Sequence, residues 1–152
     1  MMTDDGEYYV YGANGIIGKY TNFNHKQSEV LMTCRGATCG TINVSLPFSW
    51  INGNAMVIHP KNTDIFNSQK FLVYALKSID LSNVITGCAQ PQITRQSLSP
   101  VKIPIPPLSE QERIVAELDL LSGIIEKQKK AINKSIEETQ KLFDYTMDKY
   151  FG

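Results

Sequence analysis

The chain has 152 residues and carries 15 Lys and Arg against 15 Asp and Glu, a net charge of zero; that length fits one domain with an appendage, and the balance excludes a polycationic coat for nucleic acid. Residues 1–106 hold eight basic and six acidic side chains and residues 107–152 seven and nine, so any nucleic-acid contact must be local and geometric. No apolar run nears a membrane span, the acidic start lacks the apolar core of a secretory signal, and Cys34, Cys39 and Cys88 show no C-x-x-C spacing, which points to free thiols in a reducing cytoplasm.

Glu7 to Gly12 predicts a short strand, aromatic and β-branched, ended by glycine. Ala13-Asn14-Gly15 is a turn, because Asn-Gly readily takes positive φ. Ile16 to Tyr20 resumes an extended run, and Asn22 to Lys26 is a polar loop. Glu29 to Cys34 and Thr41 to Ser45 predict a hairpin around the glycine-bracketed turn Arg35–Gly40. Leu46 to Trp50 reads as a loop, Asn52 to Asn54 as a turn, and Ala55 to His59 as a strand stopped by Pro60. Asp64 to Ser78 predicts an amphipathic helix, since Ile65, Phe66, Phe71, Leu72, Ala75 and Leu76 recur at mostly helical spacing. Leu81 to Ile85 is a short helical turn or strand, and Gly87 to Thr94 an irregular loop running into a strand. Gln96 to Ser99 is a turn, and Val101 to Ile105 an edge strand, where prolines are tolerated.

Pro104, Pro106 and Pro107 then remove three backbone donors and stop regular structure. Ser109 and Glu112 have the spacing of a capping box for a helix over Glu110 to about Tyr150. Forty residues at 1.5 Å each make a rod on the order of 60 Å. Its apolar seam runs Ile114, Leu118, Leu121, Ile125, with Gln128 and Ile132 next. Beyond Ile132 the stripe slips to Ile136, Phe143 and Met147, with Thr139 between. Such a rod is expected to pack on another long helix. The fold class is therefore α+β: a small β-rich domain over residues 1–106, then one long C-terminal α-helix over 107–152 forming a coiled coil.

No Ser/His/Asp spacing, acidic pair, metal cluster or Walker motif is present, and Arg35–Gly40 lacks the Lys-Ser/Thr and following helix of a phosphate loop. The chain is expected to be non-catalytic, with no metal. It is rich instead in groups suited to base edges and phosphates. Asn14, Asn24, Asn52, Asn54, Gln90 and Gln92 can pair with adenine, and Arg35 and Arg95 with guanine. Lys19 and Lys26 suit phosphates, while Tyr11, Tyr20 and Trp50 could stack or wedge. These thirteen are the candidate DNA contacts, although Asn and Gly are also what turns are made of.

Three stretches resemble the DNA specificity subunits of type I restriction–modification systems: Tyr9-Val-Tyr-Gly-Ala-Asn-Gly-Ile-Ile-Gly-Lys-Tyr20, Gly87-Cys-Ala-Gln-Pro-Gln-Ile-Thr94, and Ile103 to Asp119 with its Pro-Pro-Leu-x-Glu-Gln leading into a heptad helix. The resemblance implies a target-recognition domain that reads one half of a split double-stranded DNA target in the major groove. It implies a helix acting as a ruler in an antiparallel coiled coil. It also implies modification subunits that methylate adenine with S-adenosylmethionine, and in some systems a restriction subunit using ATP and Mg. None of these cofactors is expected in this chain.

A full specificity subunit of that family has two domains and two helices, whereas this sequence has one of each. It also starts close to the first matching strand, so the family's usual opening segment is expected to be absent. Two copies paired through Ile114, Leu118, Leu121, Ile125, Gln128, Ile132, Ile136, Phe143 and Met147 would rebuild the full arrangement. Identical heads related by a twofold axis would read an interrupted palindrome. The alternatives are a stand-alone DNA-binding regulator and a truncated competitor that binds modification subunits through its helix.

Overall fold

The computed structural model describes residues 5–87 and 89–152; the first four residues and Cys88, with the expectations that fall on them, lie outside the described residues. The elements in chain order are β1 (Tyr8–Gly12), β2 (Gly15–Tyr20), β3 (Val30–Thr33), β4 (Ile42–Val44), β5 (Trp50–Ile51), β6 (Ala55–Ile58), a 3-10 turn (Thr63–Ile65), α1 (Gln69–Lys77), α2 (Arg95–Leu98) and α3 (Leu108–Phe151). The chain divides into two compact units, Met1–Glu112 and Arg113–Gly152.

The first unit holds two three-stranded sheets, ordered β2-β1-β5 and β4-β3-β6. β1 and β2 form the expected hairpin, with Gly15 at φ 84° in its turn, a conformation glycine adopts without steric cost. β3 pairs antiparallel with β4 and with β6. All four residues of β3 are buried, so it reads as a continuous apolar run rather than an alternation. Its two faces serve two cores. Val30 and Met32 join Ile42, Leu72, Leu76, Leu81, Val84 and Ile93 under α1. Leu31 turns the other way, to Tyr11 and Ile51, with Ala55 and Val57 packed alongside.

Several expectations need correction. Leu46–Trp50 is not wholly loop, because Trp50–Ile51 pairs parallel with Val10–Tyr11. The side chain of Asn24 makes this two-residue strand possible from its other side. Asn24 Nδ2 donates to Ile51 O at 2.9 Å, and Ile51 N donates to Asn24 Oδ1 at 2.8 Å. One amide thus satisfies both polar groups of a backbone unit, as a neighbouring strand would.

The single helix expected over Asp64–Ser78 is broken into the 3-10 turn and α1. Ser68 intervenes as an N-cap, its Oγ accepting from Phe71 N at 3.3 Å. The stretch Val101–Ile105 forms no ladder, since its prolines supply no donors; Val101 and Ile103 pack against the first core instead. Gly87–Thr94 runs into no strand, only into isolated bridges of Gln92 with Arg35 and Thr86.

α3 starts at Leu108, one turn before the expected cap, because Pro107 O accepts from Glu110 N at 3.0 Å and Gln111 N at 3.1 Å. Ser109 therefore lies inside the first turn and does not cap it. A capping box does form at Thr94 and Ser97, each side-chain oxygen accepting the other's backbone N–H at 3.0 Å.

Within the first unit, Gln111 is fully buried. Its Oε1 accepts from Asn67 N at 3.1 Å, and its Nε2 donates to Ile65 O at 2.7 Å and Pro106 O at 2.9 Å. All the hydrogen bonds it can make in this site join the start of α3 to the segment between β6 and α1.

Candidate nucleic-acid interface

Four turns meet at one end of the sheets. The hairpin turn after β1 is held from below, as Ala13 O accepts from Thr33 Oγ1 and, at 3.4 Å, from Thr38 Oγ1. The turn after β5 is tied to β1 by Asn52 N donating to Tyr11 O at 3.0 Å, and is closed by Asn54 N donating to Asn52 Oδ1 at 2.9 Å. The loop after β3 joins it through Cys34 N to Asn54 O at 3.0 Å, and Cys34 Sγ to Gly53 O at 3.6 Å. The fourth segment is fixed to that loop by Gly36 N to Pro91 O at 2.9 Å and Ile93 N to Cys34 O at 3.0 Å. Gly36, at φ 91°, provides the left-handed bend that aims its N–H at Pro91.

This lattice of backbone bonds leaves Asn14, Arg35, Asn54, Gln90 and Gln92 exposed, with Asn52 half-buried and Arg95 exposed at the start of α2. None of the stretches 11–15, 33–41, 52–55 and 86–95 contains Asp or Glu, while Arg35 and Arg95 add positive charge. Amide and guanidinium donors on a braced, carboxylate-free surface are suited to base edges and phosphate oxygens. Cys34 and Cys39 are free thiols, and burial, then the neighbouring Cys34, pushes the Cys39 thiol above its ordinary range.

Other candidates lie elsewhere. Tyr11 is a core residue, its ring buried against Leu31 and Ile51 and its hydroxyl accepting from Leu46 N at 3.0 Å, so it is not placed to stack on a base. Asn24 is exposed, but its amide is committed to Ile51 as described, and Oδ1 also lies 2.8 Å from His25 Nδ1. Lys19 and Tyr20 sit at the far end of the β1–β2 ladder, where they pair with Tyr9 and Tyr8, roughly 13 Å along the strand from the turn. There Lys19 Nζ lies 5.6 Å from the Tyr9 ring centroid, and Tyr20 meets Trp50 edge-on at 5.1 Å. Lys26 is exposed near Phe48, whose N–H donates to Lys26 O at 3.3 Å. Phe48 itself, half exposed with φ 53°, carries no sequence signal, because nothing in Leu-Pro-Phe-Ser marks a left-handed phenylalanine. Thr33 and Thr38 carry none either, as their role is to hold a carbonyl distant in sequence.

Along the second unit, the seam residues Leu121, Ile125, Ile132, Ile136, Phe143 and Met147 are 42% to 61% exposed, and Gln128 is exposed with them. Arg113–Glu117 at 3.2 Å, Lys129–Glu126 at 3.4 Å and Lys134–Glu138 at 3.7 Å are ion pairs along the same helix. Among the described residues no group of three or more His, Cys, Asp or Glu could hold a metal, and no helix is long and apolar enough to cross a membrane.

A small β-rich unit followed by a 44-residue helix is the architecture found in solved specificity subunits. The S subunit of a type I restriction-modification system from M. genitalium matches with a TM-score of 0.68 over 99% of this chain and 40% of that one, at 21% identity. A second, from a study of complex assembly and conformational transition in the type I system, matches at 0.70 over 97% and 39%, at 24% identity. The family model for the type I restriction modification DNA specificity domain matches residues 2–138. The chain belongs to that family. A putative type I specificity subunit of Mycoplasma pneumoniae is 28% identical over 156 residues, covering 100% of this chain and 51% of that protein. A putative type I restriction enzyme specificity subunit of Haemophilus influenzae is 27% identical over 118 residues, covering 75% and 30%. The chain thus spans about half or less of the curated relatives it matches.

Proposed function

We propose that this chain recognises DNA sequence as the specificity half-subunit of a type I restriction–modification system. The head reads one half of a bipartite target, and the long helix pairs with a second copy, sets the half-site spacing and docks modification subunits. The convergence of the four turns, with their exposed Asn, Gln and Arg side chains and no carboxylate, carries the reading. Arg35, Gln92 and Asn14 are the residues best placed to read bases, and Arg95 to meet a phosphate. Chemistry at the target adenine belongs to the modification subunit with its S-adenosylmethionine; this chain supplies position. Cleavage would belong to a restriction subunit with ATP and Mg.

Methylation-site sequencing of a host carrying this chain with a partner modification subunit tests the reading. The expected product is N6-methyladenine within an interrupted palindrome, lost when this chain is omitted. Methylation at unlike half-sites would refute the two-copy arrangement. Sequence-preferring DNA binding by the purified chain alone, with no effect on methylation, would favour the stand-alone regulator. Helix-mediated association with a modification subunit, with no DNA affinity at low salt, would favour the competitor.

A further inference from the structure

The exposed seam of α3 reads the same in both directions from one residue. Gln128 and Ile136 lie four residues either side of Ile132, Ile125 and Thr139 seven, Leu121 and Phe143 eleven, Leu118 and Thr146 fourteen, Ile114 and Tyr150 eighteen. A strict heptad seam is also self-mirroring, but it repeats itself and so permits a centre in every heptad. Here the alternation of threes and fours is broken once, by the two consecutive steps of four from Gln128 to Ile132 to Ile136. Sliding either helix from that centre would set the irregular step of one against a regular stretch of the other.

Resting on the pairing of two copies proposed above, we propose that the helices run antiparallel with their twofold axis at Ile132. In this register Ile132 meets its own symmetry mate. Gln128 of each copy faces Ile136 of the other, and Leu121 faces Phe143. Ile125 faces Thr139, where the helix surface has a hollow lined by Ser135, Ile136, Thr139, Gln140 and Phe143. The short Thr139 side chain, whose Oγ1 turns back to donate to Ser135 O at 2.8 Å, leaves that hollow open for the branched Ile125 of the second copy. Every layer from Ile114 outward joins a residue before the break to one after it, which is how antiparallel helices interleave. A parallel pair would instead face Thr139 with Thr139 and Gln128 with Gln128. The two Glu112 residues would then lie roughly 60 Å apart along the axis of the pair.

Disulfide mapping on the full chain, with peptide mass spectrometry to separate new links from those of the native thiols, tests the register. Ile132→Cys should cross-link copy to copy under mild oxidation. Chains carrying Ile125→Cys should link to chains carrying Thr139→Cys. Ile125→Cys alone should give no link, because the two sites would be roughly 21 Å apart along the axis, and a disulfide needs Cα atoms within about 7 Å. A dimer that links through Ile125→Cys alone, or fails to link at Ile132→Cys while still dimeric, overturns the register and leaves the pairing standing. A monomer in sedimentation at micromolar concentration overturns the pairing and the register with it. If the cysteine variants fail to fold, amine cross-linking of an isotopically mixed, unsubstituted dimer decides: a Lys149–Lys149 link between copies overturns the antiparallel register, and its absence together with links from Lys141 to the N-terminal half of the other helix supports it.

Discussion

Replacing Gln111 tests how the first unit secures the start of α3. Gln111→Leu keeps the volume and helix propensity but removes one acceptor and two donor functions from a site with no water-facing surface. Asn67 N, Ile65 O and Pro106 O lose their side-chain partner at once. Leaving one buried polar group unsatisfied costs about 1–3 kcal/mol. Ile65 is exposed and Asn67 and Pro106 are half-buried, so water can recover part of each loss. The low end of the range applies to all three, giving a destabilisation of about 3 kcal/mol. Against a typical domain stability of about 5–15 kcal/mol that is a large fraction.

Trp50 is the only tryptophan and lies in the first unit, so its fluorescence in a urea titration reports this unit alone. Gln111→Glu sharpens the test. Its carboxylate still accepts from Asn67 N but turns a second oxygen on two carbonyls, which raises the carboxyl pKa in the folded state above its unfolded value. The sign follows: the variant should be nearest the parent below the unfolded pKa and lose stability as pH rises through the folded one. A Gln111→Leu midpoint within experimental scatter of the parent, or a Gln111→Glu deficit that does not grow between pH 4 and pH 7.5, refutes the reasoning.

Other expectations are simpler to check. Arg35→Ala should weaken binding to the cognate half-site by about 1–3 kcal/mol, read by fluorescence anisotropy at fixed salt, with discrimination at one base position relaxed; equal weakening at every sequence would make Arg35 a phosphate contact instead. Asn24→Ala should cost about 1–2 kcal/mol of stability by freeing both polar groups of Ile51, while DNA affinity per folded molecule stays unchanged; lost affinity in a fully folded variant would return Asn24 to the interface. The Cys39 thiol, raised chiefly by burial, should alkylate more slowly in the native than in the urea-unfolded chain at pH 8. Because its folded pKa is the higher, its contribution to stability is complete below the unfolded value and lost as pH rises through the folded one. Cys39→Ala should flatten that alkaline decline, and an unchanged decline would assign it elsewhere.

The sequence by itself determined the elements whose signals are local. Apolar and β-branched runs define β1, β2, β3, β4 and β6, the Asn-Gly turn defines the first hairpin, and unbroken helix-forming residues after the prolines define α3. The Pro-Pro-Leu-x-Glu-Gln stretch marks the family on its own, but the reason for its glutamine is tertiary. That side chain fills a buried site whose other members lie in residues 65–67, more than forty positions earlier. The tertiary structure alone decided which candidate contacts share a surface. Asn14, Arg35, Asn54 and Gln92 are scattered along the chain, and only hydrogen bonds between their turns bring them to one end. Composition could not tell an exposed Asn14 from an Asn24 spent on a two-residue strand, because both are Asn in polar loops and differ only in what folds against them.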